Sequence, residues 1–334
     1  MRVVAFIVLA LLTIAFSLSK PVSWPARVYQ PSSVQLQDDC IQLGRALFYD
    51  PILSRDSSTS CSSCHLSYVA FTHVDHAVSH GIDDRIGRRN APALMNLAWN
   101  TSFMWDGAIN HLDMQPLAPI TNALEMDEQL PSVLSKLERS SMYRRLFADV
   151  YGDSTVTTER MLKAFAAFLI RLESTNSRYD KMLRGEAVFT DQETRGYAIF
   201  KQQCNACHTE PLFTNHEFRN NGIAARTGDA GRAEVTNLVE DSGLFKVPTL
   251  RNIHYSRPYM HDGRMAKLSE VVSHYASGKF SSKASAEMKN VSMMNEEQRV
   301  DLMAFLLTLS DSSFVFEKSF QYPFKLFETK GVQY

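Results

Sequence analysis

The chain has 334 residues, of which 45% are apolar and 21% charged, and these values are ordinary for a globular protein. They exclude collagen-like, low-complexity and largely disordered structures. The 35 Lys and Arg residues are matched by 36 Asp and Glu, for a formal net charge of -1. Because nucleic-acid-binding chains usually carry a clear basic excess, no nucleic acid is expected as a partner. The length of the chain suits two domains.

The first residues have the pattern of an export signal. Arg2 is followed by an apolar run from Val3 to Phe16, as in a secretory signal peptide. This run is short for a membrane-spanning helix, which needs about twenty apolar residues. We expect residues 1–20 to be a signal peptide, with an N-terminal membrane anchor as the alternative. Residues 21–34 are expected to form an extended leader, because their prolines prevent a continuing helix.

Four of the five cysteines fall in two copies of the pattern C-x-x-C-H. One copy is Cys61, Cys64 and His65, and the other is Cys204, Cys207 and His208. This pattern attaches haem c: both thiols bond to the porphyrin, and the histidine is positioned to ligate the iron. A thioredoxin-like site needs a strand before the motif and no histidine, and paired zinc motifs lie only about 15–20 residues apart. The leftover Cys40 needs no function beyond filling the core.

The sequence around the two motifs repeats. Residues 43–48 precede the first motif and residues 195–200 precede the second, and both have the pattern of a short amphipathic helix. The apolar spacing in residues 161–170 and 300–307 predicts a core helix after each motif.

This repeat predicts two similar domains. We expect a mainly α fold of two tandem class I cytochrome c-like domains, each with one covalent haem c. The first would span residues 35–185 and the second residues 186–334. Gly185 and a new helix start at Thr190 indicate the junction.

Six segments of the chain resemble the bacterial di-haem cytochrome c peroxidase superfamily, which includes the MauG-type enzymes. They are LGRALFYD from Leu43, RNAP from Arg89, FMWDG from Phe103, EM from Glu125, FKVPTLRN from Phe245 and PYMHDG from Pro258. The resemblance covers about residues 43–309. It implies a peroxide-reactive haem in the first domain and an electron-transferring haem in the second.

In the first domain, the resemblance implies a peroxide pocket at the iron whose proximal ligand is His65. Gln115 would orient the peroxide, and Pro119 would crowd the distal face with a group that does not ligate iron. Glu125 would move a proton from one peroxide oxygen to the other. Trp105 would lie between the two haems and shorten the gap that an electron crosses.

Many peroxidases of this family cap the resting first haem with a histidine. The matching position here is Ile82, which implies an open, five-coordinate iron. His73, His76 and His80 are close in sequence, and we expect them to be surface or core residues.

In the second domain, the resemblance makes His208 the proximal ligand and Tyr275 the far one. The peroxidases of this family use methionine there, which raises the haem potential, whereas the MauG-type branch uses tyrosine. An anionic tyrosinate would favour ferric iron and higher oxidation states. Met260, Met265 and His274 remain alternative ligands.

The resemblance further implies a calcium ion between the domains, held by Asn90 and the backbone carbonyls of Ser256 and Pro258. Oxygen ligands suit this hard cation. One feature departs from the MauG type, which has a surface tryptophan two residues before its second haem motif. This chain has Gln202 there.

Three functions are compatible with these features. The first is a periplasmic peroxidase that reduces hydrogen peroxide to water with electrons from a small cytochrome c or a cupredoxin. The second is MauG-type oxidation of a tryptophan or tyrosine on a partner protein. The third is a di-haem electron carrier, which would not need the combination of Gln115, Pro119 and Glu125. A homodimer is left open, since relatives often dimerise.

Overall fold

The computed structural model describes residues 24–223 and 228–328. The predicted signal peptide, residues 1–20, lies outside the described residues. Among those described, no helix has the length and apolar character needed to cross a bilayer.

The fold is mainly helical, as predicted. The α-helices are α1 (Asp38–Tyr49), α2 (Cys61–Cys64), α3 (Leu117–Thr121), α4 (Leu130–Arg139), α5 (Ser141–Tyr151), α6 (Thr158–Arg171), α7 (Arg178–Leu183), α8 (Asp191–Gln203), α9 (Ala233–Thr236), α10 (Leu268–Ala276), α11 (Glu296–Leu307), α12 (Ser312–Val315) and α13 (Phe324–Glu328). Short 3₁₀ helices cover Val34–Leu36, Pro51–Leu53, Ser67–Val69, Ile82–Asp84, Leu97–Trp99, Leu112–Met114, Val239–Asp241, Ala286–Asn290 and Lys318–Phe320. Two short strands, β1 (Phe218–Arg219) and β2 (Phe245–Lys246), pair antiparallel.

The same pair of packed helices occurs in both halves. Helix α1 packs against α6, and α8 packs against α11, so the four helices predicted around the haem motifs are confirmed. A glycine allows each close approach. A Cβ atom at Gly44 would lie 1.8 Å from the carbonyl oxygen of Ala164, and one at Gly196 would lie 1.9 Å from that of Asp301. Any larger residue would force the helices apart.

Each half has its own apolar core. Phe48 and Phe168, on the first helix pair, lie in one cluster with ring centroids 5.3 Å apart. Phe200 and Phe305, on the second pair, lie in the other with centroids 5.0 Å apart. Aromatic packing of this kind adds to the stabilisation from burial.

The last described residues pack on the first cluster. Phe314 and Phe327 are buried there, and the hydroxyl of Tyr49 donates a hydrogen bond to the carbonyl of Phe320 at 2.7 Å. The sequence analysis assigns all of residues 186–334 to the second domain, because local patterns do not show which core a terminal segment covers. The structure instead places this tail across the first half.

A buried ion pair ties the second half to helix α7 at the junction. Arg251 is fully buried and donates to both carboxylate oxygens of Asp180, at 2.8 and 2.9 Å. It also donates to the carbonyls of Pro211 at 2.8 Å and Ser174 at 3.1 Å. Helix α8 then begins after Thr190, whose side chain caps it as predicted. Tyr179 of α7 is buried in the second cluster, so the ion pair fixes this helix against the second half.

Candidate haem and peroxide site

One cavity of about 560 Å³ is lined by residues of both halves. It brings together the predicted site residues Cys64, His65, Asn90, Trp105, Gln115, Pro119 and Glu125 with Cys204, Cys207, His208, Ser256, Pro258 and Tyr275. Cys61 is not among the residues that line the cavity and packs half-buried against the first core. Sequence segments more than 200 residues apart thus converge on one space.

The first haem motif presents a neutral imidazole. Helix α2 holds Cys61 and Cys64, and the next residue, His65, leaves the helical conformation. Its Nδ1 forms a 2.7 Å hydrogen bond with the carbonyl of Phe71. This bond places the proton on Nδ1 and leaves the lone pair of Nε2 available for iron. Burial lowers the pKa of His65 to about 4, so the ring is uncharged at neutral pH.

The second motif repeats this arrangement. Nδ1 of His208 lies 3.2 Å from the carbonyl oxygen of Phe213 and 3.1 Å from that of Pro248. Burial lowers the pKa of His208 to about 4 as well. Cys204 and Cys207 are free thiols beside it.

These residues fit covalent haem better than zinc. Within residues 24–223 and 228–328, no group of three or more His, Cys, Asp or Glu side chains is arranged to hold a metal ion. Burial raises the pKa of the Cys61 and Cys204 thiols to about 12. Two thiols and one neutral imidazole beside a large cavity are what a haem c needs in each half.

On the first-domain side, three polar or rigid side chains line the cavity. Gln115 has its Nε2 at 3.9 Å from the sulfur of Met104, and Pro119 lies within the short helix α3. The Nδ2 of Asn122 donates to Glu125 Oε1 at 2.8 Å. Burial raises the pKa of Glu125 despite this hydrogen bond. The carboxyl group can therefore exchange a proton closer to neutral pH than an exposed glutamate can.

Ile82 lies directly behind this loop. It is 1% exposed, and its backbone N–H donates to the carbonyl of Glu125 at 2.7 Å. The rings of His73, His76 and His80 stack in a row, with successive centroids 5.2 and 4.0 Å apart. None of the three is among the described residues that line the cavity. The expectation of an open first iron remains a prediction that this placement supports.

Tyr275 lies on α10 and lines the second-domain side. Burial raises its pKa to about 12, while a hydrogen bond with the side chain of Asn221 lowers it. Of the alternative ligands, Met260 also lines the cavity, but Met265 and His274 do not. The ring of His274 instead bonds to the carbonyl of Asn221 at 3.0 Å.

Trp105 lies where the two halves meet. Its indole N–H donates to the carbonyl of Asn90 at 2.8 Å. The ring stands edge-on to His261 with centroids 6.5 Å apart, and His261 stacks on Phe245 at 3.6 Å. An oxidisable ring is thus fixed between first-domain backbone and second-domain aromatic residues.

Asn90 also carries a buried oxygen without a partner. Its Nδ2 donates to the carbonyls of Pro258 at 2.6 Å and Met260 at 3.4 Å, whereas Oδ1 has no hydrogen-bond partner. A half-turn of the amide would bring Oδ1 against the carbonyl of Pro258. Two oxygens that close require a cation between them. Ser256 lines the same region, so the donor set fits a hard cation.

Sequence analysis missed two cavity residues, His216 and Lys246. Both are half-buried, and loss of contact with water lowers the pKa of His216 to about 4 and that of Lys246 to about 8. The sequence contains one indication of such a role: Lys246 is a charged residue between Phe245 and Val247 in an otherwise apolar segment. A charge in such a place points to a specific partner.

Comparison with known proteins agrees with this reading. The family model described as di-haem cytochrome c peroxidase matches residues 38–188, and the cytochrome c model matches residues 193–310. The methylamine utilization protein MauG of Methylophilus methylotrophus is 32% identical over 302 residues, covering 87% of each chain. The cytochrome c551 peroxidase of Nitrosomonas europaea is 35% identical over 241 residues, covering 70% of this chain and 72% of that one.

A solved MauG-like protein associated with microbial copper homeostasis has a TM-score of 0.80 and 30% identity, covering 91% of this chain and 99% of that one. The relatives thus include both peroxidases and MauG proteins, and they match across both halves. The chain therefore belongs to the di-haem cytochrome c peroxidase and MauG superfamily, and it is a haem-containing oxidoreductase of the peroxidase type.

Proposed function

We propose that this protein reduces hydrogen peroxide to water with electrons supplied by a small cytochrome c or a cupredoxin. Each turnover consumes one peroxide, two electrons and two protons and releases two waters. The observation that carries the proposal is the presence of Glu125, Gln115 and Pro119 in the same cavity as His65. A di-haem electron carrier would need no acid–base group there.

In this proposal, His65 and His208 would each hold one haem iron through Nε2, and the cysteine thiols would hold the porphyrins. The haem would supply a redox-active iron that reduces the oxygen–oxygen bond. Glu125 accepts the proton of the near peroxide oxygen and donates it to the oxygen that leaves as water. Gln115 offers an amide to orient the peroxide. Pro119 has neither a charge nor a side-chain donor and so keeps the distal face free of a ligand.

Trp105 and Tyr275 divide the electron-transfer role. Trp105 is held by Asn90 at the meeting of the two halves, where an aromatic ring shortens the step between the haems. Tyr275 would ligate the second iron, and because a tyrosinate is a hard anion it would stabilise the oxidised state. Both residues line the cavity that also contains the second haem motif.

Steady-state turnover tests the proposal. The holoprotein with both haems attached is mixed with hydrogen peroxide and a reduced small cytochrome, and oxidation of the donor is followed optically. The proposal predicts catalytic oxidation that depends on both reactants. Consumption of peroxide without any turnover of cytochrome or cupredoxin donors would refute it.

A second candidate is MauG-type oxidation of a tryptophan or tyrosine on a partner protein. Tyr275 favours it, because tyrosine is the far ligand in that branch of the family. Gln202 disfavours it, since this exposed residue stands where the MauG type has its surface tryptophan. If peroxide consumption leads to oxidation of a partner protein rather than of a small donor, this candidate replaces the first.

We further propose that Asn90, Ser256 and Pro258 hold a calcium ion, and that the protein works in the periplasm after export. The unpartnered oxygen of Asn90 supports the first point, and the N-terminal sequence pattern supports the second. Elemental analysis of the purified holoprotein before and after chelation tests the calcium site. One calcium per chain is expected, and a chain without calcium before chelation would refute it.

A further inference from the structure

The arginines that line the cavity already have anionic partners. Arg88 pairs with Glu234 at 2.8 Å. Arg89 pairs with Asp106 at 2.5 Å and with Asp229 at 2.8 Å. The third, Arg219, pairs with Glu217 and with Glu287, the latter at 2.9 Å. Their charges are therefore compensated by the protein itself.

Lys246 differs from these arginines. Its Nζ donates to the carbonyl of Ser102 at 2.6 Å and lies 5.8 Å from the ring centroid of Phe103. No carboxylate of the described residues lies within ion-pair distance of it. Asp106 acts on it only at longer range and is itself bonded to Arg89. An ammonium has three donors, and only the one that bonds to Ser102 has a hydrogen-bond partner among the described residues.

The lysine side chain belongs to the second half but reaches the first. Strand β2 carries Lys246, and its backbone N–H donates to the carbonyl of Trp105 at 2.7 Å. Ser102, Phe103 and Trp105 all precede Gln115, which lines the peroxide side of the cavity. The ammonium is thus anchored on the loop that leads to the first haem pocket.

A histidine ring nitrogen without a partner lies near this lysine. His216 lines the cavity, and its Nε2 is buried without a hydrogen-bond partner. Lys246 and His216 are close enough for the charge of the lysine to lower the pKa of the imidazole. A half-buried cation with unused donors and a buried ring nitrogen with no partner cost free energy unless a ligand completes the site. The neutral imidazole can donate to an anion in the tautomer that carries its proton on Nε2. An anion there would offset both costs.

We propose that Lys246 and His216 together bind a propionate carboxylate of the haem held by the first domain. Haem carries two propionates, and a carboxylate is the complement of an ammonium and an imidazole N–H. The pair would set the potential of this haem and fix its orientation against Trp105. The inference rests on the haem assignment and deepens the proposed function, because it names residues that tune the peroxide-reactive haem.

Redox titration of the holoprotein tests this proposal. The Lys246→Met variant removes the charge, and Lys246→Arg retains it. Lys279→Met is the matched control, since Lys279 is exposed and does not line the cavity. The titrations are followed by electron paramagnetic resonance, which reports the two ferric haems separately, from about pH 4.5 to 7.5, a range in which Lys246 stays charged and an unpaired carboxylate begins to protonate. Covalent haem per chain is measured on each sample.

Loss of the positive charge should disfavour the reduced state of the first haem. Near neutral pH, where Lys246 is charged, the ratio of ferrous to ferric iron at the wild-type midpoint should fall roughly three- to tenfold in Lys246→Met. At the acid end, the difference should shrink as the unpaired propionate takes up a proton. Lys246→Arg and Lys279→Met should keep the wild-type potential, and His216→Gln should shift it in the same direction as Lys246→Met but less.

Two results would refute the proposal that Lys246 and His216 bind the propionate. In the first, the ratio of ferrous to ferric iron in Lys246→Met, taken at the wild-type midpoint, stays within about twofold of the wild-type ratio across the whole pH range. The other is a shift confined to the second haem. Because the readout is a potential and not turnover, either result leaves the peroxidase proposal intact. Conversely, a protein that shows the shift but no turnover refutes the peroxidase proposal alone.

Discussion

Replacing Glu125 by glutamine removes the proposed proton carrier with little other change. Glutamine has the same size, and its Oε1 can still accept the 2.8 Å hydrogen bond that Asn122 donates. What is lost is the ability to take and return a proton. General acid–base catalysis contributes about 10²- to 10⁴-fold to a rate, which corresponds to about 2.7–5.4 kcal/mol of activation free energy.

Stopped-flow absorbance of the ferric holoprotein mixed with peroxide measures this rate. Glu125→Gln should react at least about 10²-fold more slowly than wild type. Glu128→Gln is the control: it lies in the same loop but pairs with Lys136 at 2.6 Å and does not line the cavity. This variant should keep the wild-type rate, although it loses an ion pair.

The pH profile gives a second test of Glu125. Its pKa is raised by burial, and only the deprotonated carboxylate can accept the peroxide proton. The wild-type rate should therefore fall as the pH drops through a value above that of an ordinary glutamate, and the profile of Glu125→Gln should lack this step. A Glu125→Gln variant with wild-type rate and wild-type pH profile would refute the assignment.

Three further predictions follow from the geometry. Tyr275→Met should raise the potential of the second haem and add a methionine–iron charge-transfer band; an unchanged spectrum would show that Tyr275 is not the ligand. Arg251→Met should cost about 3–5 kcal/mol of unfolding free energy in urea titrations, because it leaves Asp180 buried without its partner; a loss below about 1 kcal/mol would contradict this. Gly44→Ala should lower the stability by about 1–3 kcal/mol, since its Cβ has no room; a melting temperature equal to wild type would contradict the close helix packing.

The haem motifs and the helices around them were predictable because the information is local. Cys61 to His65 and Cys204 to His208 are short patterns, and the helix periodicity on either side needs no knowledge of distant contacts. Glu125 and Tyr275 required the family resemblance, since neither has a local pattern that marks it as functional. The structure then shows that both line one cavity with the haem motifs.

Features that depend on contacts between distant segments were not predictable from local patterns. Nothing in the local sequence of the C-terminal segment around Phe314 indicates which core it covers. The tertiary structure shows that it packs on the first core. Lys246 is one charge in a short strand, and the absence of a carboxylate partner among the described residues is visible only in the tertiary structure. His216 is likewise an ordinary loop histidine until its ring is seen to be buried beside Lys246.

The central claim is that one haem iron is open beside Glu125 and the other is closed by Tyr275. The most direct measurement is the electron paramagnetic resonance spectrum of the ferric holoprotein as isolated, with both signals integrated. We predict one high-spin and one low-spin iron in equal amounts. Two low-spin irons, with no high-spin signal under any buffer condition, would contradict the claim.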